Sequence, residues 1–192
     1  PEAAGRIVRV PFSMAQRSGV GTKRRESWEA SAQAAEEAFT AGATTVAFAT
    51  VGDPSVFSTF SYLADHVRAV VPGVHVSVVP GITAMQALAA ASLIPLVEGQ
   101  ESLTLVPVTA GLESVATALT SSDTVVAYKG GRRLPEVTEL LRGEDRDAVM
   151  GVDVSLPNQR LVRLSDLVDG ESAPYFSTVL AAPTRSTTGG RL

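Results

Sequence analysis

Between Arg24 and Ala41 the apolar residues return at helical spacing. Trp28, Ala32, Ala35 and Phe39 share one stripe, with Glu29, Glu36 and Glu37 elsewhere on the wheel, and Gly42 is a stop signal. The spacing therefore predicts an amphipathic helix over 24–41. The next run, TTVAFATV at 44–51, is apolar and β-branched without alternation, which predicts a strand covered on both faces. Gly52, Asp53 and Pro54 then turn the chain into a second helix, over about 55–70. VHVSVV (74–79) repeats the strand pattern, PGIT (80–83) is a turn, and AMQALAAAS (84–92) is a helix of small residues. Alternating helix and strand predicts an α/β domain with a mostly parallel sheet.

After Pro95 the pattern changes. Strands or strand-containing segments are predicted at 102–108, 124–129, 148–154, 159–167 and 175–182, and helices at 111–121 and 134–142. The later strands lie close enough in sequence for hairpin pairing. A boundary near Leu96 to Gln100 separates an N-terminal α/β domain (1–98) from a mixed α/β domain (99–183), followed by a flexible polar tail (184–192).

Composition narrows the function classes. With 45% hydrophobic and 19% charged residues over 192 positions, the chain reads as globular, with no uninterrupted apolar stretch long enough to span a bilayer. A formal charge of −4 and few aromatics argue against nucleic acid or an anionic membrane as partner. The absence of Cys excludes thiolate chemistry and fits a reducing cytoplasm.

In an α/β sheet ligands bind beyond the carboxyl ends of the strands, which directs attention to the loops at 52–54 and 80–83. Gly52 and Gly81 would let a ligand approach the main chain, but Asp53–Pro54 and Thr83 also read as ordinary helix starts. Gly19, Gly21, Thr22 and Lys23 lack the spacing of a phosphate loop, and His66 and His75 have no second ligand at metal spacing, so no metal site is expected. Basic clusters stand at Lys23, Arg24 and Arg25, at Lys129, Arg132 and Arg133, and at Arg160 and Arg163. The second follows a predicted strand in YKGGRR, where two glycines would let the cations converge on a polycarboxylate; the plainer reading is a solvated face.

In their order along the chain, TVGDPSVFSTFSYL, VVPGITAMQALAAASLIPLVEG, VVAYKGGRRLPEV, SLPNQR and APYFSTVL resemble the tetrapyrrole methylases, the S-adenosylmethionine-dependent enzymes of corrinoid and sirohaem synthesis. The likeness runs from about Val10 to Ala181 and is strongest to the branch that methylates carbon 20 of precorrin-2, giving precorrin-3A in cobalamin synthesis. The resemblance implies a two-domain α/β fold, S-adenosyl-L-methionine in the interdomain cleft with S-adenosyl-L-homocysteine as product, an anionic tetrapyrrole substrate and a homodimer. It places Val51, Gly52, Asp53, Val56, Thr83, Ala84, Lys129 and Val154 at the cofactor. Related methylases often carry Met at the position of Lys129, which opens a substrate role for that residue. With eight ring carboxylates to hold, Lys129, Arg132, Arg133 and Arg160 are the candidate substrate cations. No general base is nominated among Asp53, Tyr62 and Glu98.

The alternatives are the same transfer on cobalt-factor II, or a non-catalytic protein of this fold that binds adenosyl compounds or tetrapyrrole. Family members open with a strand and a G-x-G-P-G-[DE] loop that have no counterpart here. The expectation is therefore that about 30 to 50 residues, one strand, one loop and one helix, precede Pro1.

Overall fold

A computed structural model describes residues 6–10, 21–167 and 170–185, and the chain divides into two compact units, Pro1–Gly81 and Ile82–Leu192. The N-terminal 20 residues of the first unit are described only at 6–10, and the tail expected at 184–192 lies outside the described residues beyond Arg185.

In the first unit α1 (Thr22–Thr40) and α2 (Phe60–Val70) pack on each other. The stripe predicted on α1 faces inward: Ala32 is buried, Trp28, Ala35 and Phe39 are half-buried, and the three glutamates are exposed. Trp28 stacks on Tyr62 with ring centres 4.6 Å apart, and the Arg24 guanidinium lies 5.0 Å from the Trp28 ring. Gly42, at φ 96, ends α1: its N–H donates to Phe39 and that of Ala43 to Ala38, a Schellman closure that only the left-handed residue permits.

The sheet expected here differs. Among the described residues neither 44–51 nor 74–79 joins a ladder, and 44–49 is exposed throughout. Covering both faces of a strand takes partners on its edges and apolar layers on either side. The aromatic faces of α1 and α2 are instead spent on one another, and Phe48, 6.2 Å from Phe60, ties the first run to α2.

The second unit is a five-stranded sheet in the order β1-β2-β5-β3-β4. Its strands are β1 (Leu103–Pro107), β2 (Thr124–Tyr128), β3 (Arg146–Val152), β4 (Arg160–Arg163) and β5 (Ser177–Pro183); its helices are α3 (Ala84–Ser92), α4 (Leu112–Ser121) and α5 (Leu134–Leu141). β1 and β2 are parallel, and every other pair is antiparallel, including the expected β3–β4 hairpin. Alternate residues of β2 point to opposite layers. Val125 and Ala127 meet Val115, Leu119, Leu134 and Val137 of α4 and α5, while Val126 and Tyr128 meet Leu88 of α3, which is fully buried. α3 thus packs on this sheet, and the division between units falls at 81/82 rather than at 98/99.

Candidate functional site

Asp53 is not the cap of a helix. Its carboxylate accepts from the Ser55 hydroxyl and from the Ser55 N–H at 2.8 Å, while its second oxygen accepts the N–H of Gly81 at 2.8 Å. These donors, the Ser55 hydroxyl foremost, hold the carboxyl below the usual range. With Asp53 engaged in this turn and Phe57 left-handed at φ 50, α2 starts at Phe60, five residues later than the sequence suggests. Gly52 (φ 78) makes the turn possible. A Cβ on Gly81 would stand 2.3 Å from the Gly52 carbonyl oxygen, so the absence of a side chain there serves loop against loop. Around this junction Val51 is 87% exposed and Val56 is half-buried.

Within the second unit, Thr83 caps α3 as expected. Its hydroxyl accepts from Gln86 N–H at 3.3 Å, and the Gln86 side chain accepts the Thr83 N–H at 2.9 Å, closing a capping box. The Met85 N–H donates to the Tyr128 hydroxyl, 2.9 Å away and 43 residues on. Burial raises the phenol above its ordinary value. Tyr128 therefore joins the start of α3, where exposed Ala84 sits, to the carboxyl end of β2. The sequence conceals this residue inside an apolar run; its only signal is a hydroxyl at the strand's last position.

Lys129 follows at φ 59, half-buried. The two glycines after it are both pressed. A Cβ on Gly130 would meet Val108 at 2.8 Å, and one on Gly131 would stand 2.3 and 2.5 Å from the carbonyl oxygens of Ala173 and Pro174. Gly151 admits the side chains of Val154 and Leu88 in the same way. Since β2 and β3 both run antiparallel to β5, their carboxyl ends and the start of β5 share one end of the sheet. YKGGRR, SLPNQR and APYFS meet there, with Arg160 opposite Val152 at the start of β4.

The four candidate cations differ in their surroundings. Arg133 pairs with Glu136 at 3.2 Å and Arg160 with Glu171 at 2.8 Å, so both are already countered by carboxylates. Arg132 is exposed, with no carboxylate in ion-pair range among the described residues. Of the three proton acceptors considered from sequence, Asp53 is held by donors on both oxygens as above, the Tyr62 ring stacks on Trp28, and the Glu98 carboxylate lies 3.4 Å from Arg185. A cavity of about 530 Å³ between α5, β3 and β4 is lined by none of the candidate cofactor or substrate residues; its Arg142 and Arg163 pair with Glu139 and Asp147. No described helix is long and apolar enough to cross a membrane.

Residues 3–167 match the family model of the tetrapyrrole (corrin/porphyrin) methylases, and the chain belongs to that family. It is 34% identical over 161 residues to a precorrin-2 C(20)-methyltransferase of Sinorhizobium sp, covering 83% of this chain and 64% of the relative. Against the cobalt-precorrin-2 C(20)-methyltransferase of Salmonella typhimurium it is 31% identical, covering 85% and 68%. The chain thus spans about two thirds of the length of these relatives. Among solved structures, the methyltransferase CobJ aligns at TM-score 0.59 and 26% identity over 83% of this chain and 73% of that one. A uroporphyrin-III C-methyltransferase of Thermus thermophilus, complexed with S-adenosylhomocysteine, aligns at TM-score 0.60 and 23% identity over 85% and 74%, a likeness of fold.

Proposed function

We propose that the protein transfers a methyl group from S-adenosyl-L-methionine to carbon 20 of precorrin-2, as a homodimer, in cobalamin synthesis. The observation that carries this reading is the meeting of YKGGRR, SLPNQR and APYFS at one end of a single sheet, in a chain 34% identical to a protein named for that reaction.

The residues suit an adenosyl cofactor. Val51 offers an exposed apolar side chain on a turn fixed by Asp53, and Ala84 does so on a helix start fixed by Thr83, Gln86 and Tyr128. Loops fixed before binding lose less freedom on binding. Val51, Gly52, Val56, Thr83, Ala84, Lys129 and Val154 would hold the cofactor. Asp53, both of whose oxygens are taken by protein donors, would act as a positioning residue. When bound, the cofactor supplies a methyl group on a cationic sulfur whose leaving group is a neutral thioether. The meso carbon contributes the electron pair of the new bond, the C–S pair stays on sulfur, and the ring then loses a proton. The chain's task is to hold donor and acceptor close and in line.

Mass spectrometry tests this. Precorrin-2 incubated with the protein and S-adenosylmethionine gains one methyl group; binding of S-adenosylhomocysteine by calorimetry without any methylation overturns the enzyme reading and leaves a binding protein. The relative named for cobalt-precorrin-2 favours a second reading, transfer to the cobalt-loaded ring. Turnover compared on the two substrates separates them.

A further inference from the structure

Among the described residues five that bear side chains have left-handed backbone, and three of them, Lys129, Asp153 and Ser155, lie at one end of the second unit's sheet, directly after β2 and β3. Such conformations cost about 1 kcal/mol or more each and gather where a fold holds something in place. The segment that enters β5 at this end presents Tyr175 and Phe176, rings edge to face at 5.3 Å and 53% and 60% exposed. Phe176 is fastened to the strained turn: its carbonyl accepts the Asp153 N–H at 3.0 Å. The same turn carries Leu156, 54% exposed, whose N–H donates to the Asp153 carbonyl at 2.9 Å.

Three large apolar side chains thus stand in water around a turn held by main-chain hydrogen bonds, although burying each would be worth about 1.5 to 3 kcal/mol. Their charged surroundings are specific. Gly131 packs on Ala173 and Pro174, immediately before the aromatic pair, and the next residue is the exposed Arg132. Arg160 begins β4 at the same end, with its Glu171 partner. An apolar patch with the exposed Arg132 beside it matches a ring that carries carboxylates around its rim. Three side chains fall well short of the roughly 20 to 30 residues a side of a stable protein interface, which argues against a second copy as occupant.

We infer that Tyr175, Phe176 and Leu156 form a platform for one face of the tetrapyrrole macrocycle, with Arg132 taking a rim carboxylate. This rests on the methylase reading above and adds where the ring lies.

The test pairs Tyr175→Ala with Phe176→Ala in the full chain and measures the KM for precorrin-2, the Kd for uroporphyrin III (an eight-carboxylate porphyrin) from its visible absorption band, and the Kd for S-adenosylhomocysteine. The platform requires both tetrapyrrole constants to rise about tenfold or more with the S-adenosylhomocysteine value unmoved. Swapping the rings (Tyr175→Phe with Phe176→Tyr) restores them, which excludes misfolding as the cause. Arg132→Gln weakens porphyrin binding about threefold and flattens its salt dependence. An active wild type whose double variant keeps its KM overturns the platform alone. So does a double variant that changes sedimentation from dimer to monomer at unchanged porphyrin affinity. A wild type that methylates nothing overturns the functional reading and this inference with it.

Discussion

TTVAFATV at 44–51 and TVVAYK at 124–129 are alike in their apolar and β-branched residues, yet one forms no ladder among the described residues and is exposed over 44–49, while the other contains an inner strand buried at every position. The difference lies in what surrounds them. β2 has β1 on one edge, β5 on the other, α4 and α5 over one face and α3 over the other. In the first unit α1 and α2 satisfy each other through Trp28, Tyr62 and Arg24. An apolar β-branched run states that a segment is ready for burial; only its neighbours decide whether burial happens.

The comparison can be broken most directly at Leu88, which fills the α3 face of the sheet and is fully buried. Leu88→Ala is expected to destabilise the second unit by about 3 to 4 kcal/mol in urea unfolding, whereas Val46→Ala, at a side chain 41% exposed, changes stability by less than about 0.5 kcal/mol. Equal losses at the two sites would mean that 44–51 is part of a core.

The glycines sharpen it next. A methyl on Gly131 meets two carbonyl oxygens of the segment feeding the central strand β5, so Gly131→Ala should cost about 2 to 3 kcal/mol of cooperative stability. Gly81→Ala meets one carbonyl, that of Gly52, in a junction of loops. Its expected signature is a weaker S-adenosylhomocysteine affinity in calorimetry, with the main thermal transition nearly in place.

The smallest effect concerns Arg185, whose guanidinium makes a two-pronged contact with Glu101, a side chain only 5% exposed. Arg185 holds the Glu101 carboxyl below its ordinary 4.5. The ion pair therefore adds stability above pH 4.5 and loses it as pH falls through the lowered value. Glu101→Gln should cost about 1 to 2 kcal/mol at pH 7, and the gap to the parent protein should close in unfolding titrations carried well below pH 4. A gap that stays constant with pH would remove the ion pair from the account.

The second unit was legible in sequence because its signals are local and mutually consistent. The alternation of strand runs with amphipathic stretches located β1, α4, β2, α5 and β3 within a few residues, and PGIT followed by small residues located α3 and its Thr83 cap. The division at 81/82 differs from the expected boundary near 98 because Leu88 packs among Val126, Tyr128, Val149 and Leu180 and draws α3 to the second unit, and no local pattern reports that. The same holds for the site. Asp53–Pro54 carries every local mark of a helix start, yet one carboxylate oxygen serves the Ser55 turn and the other goes to a donor 28 residues away. Tyr128 and Met85 are joined over 43 residues by one hydroxyl. Arg132, Arg133 and Arg160 were visible as cations, but that Glu136, three residues on, and Glu171, eleven residues on, counter two of them became visible only in the fold.

The strand order β1-β2-β5-β3-β4 has a consequence for the order of events in the cell. The strand that joins the two halves of the sheet is the last of the five to leave the ribosome. Until Ser177–Pro183 emerges, β2 and β3 each present an open edge, and the contacts that close them span much of the unit. During synthesis the unit is therefore two unfinished sheets awaiting a common strand, a window in which a chaperone or a premature stop would decide the fate of the chain.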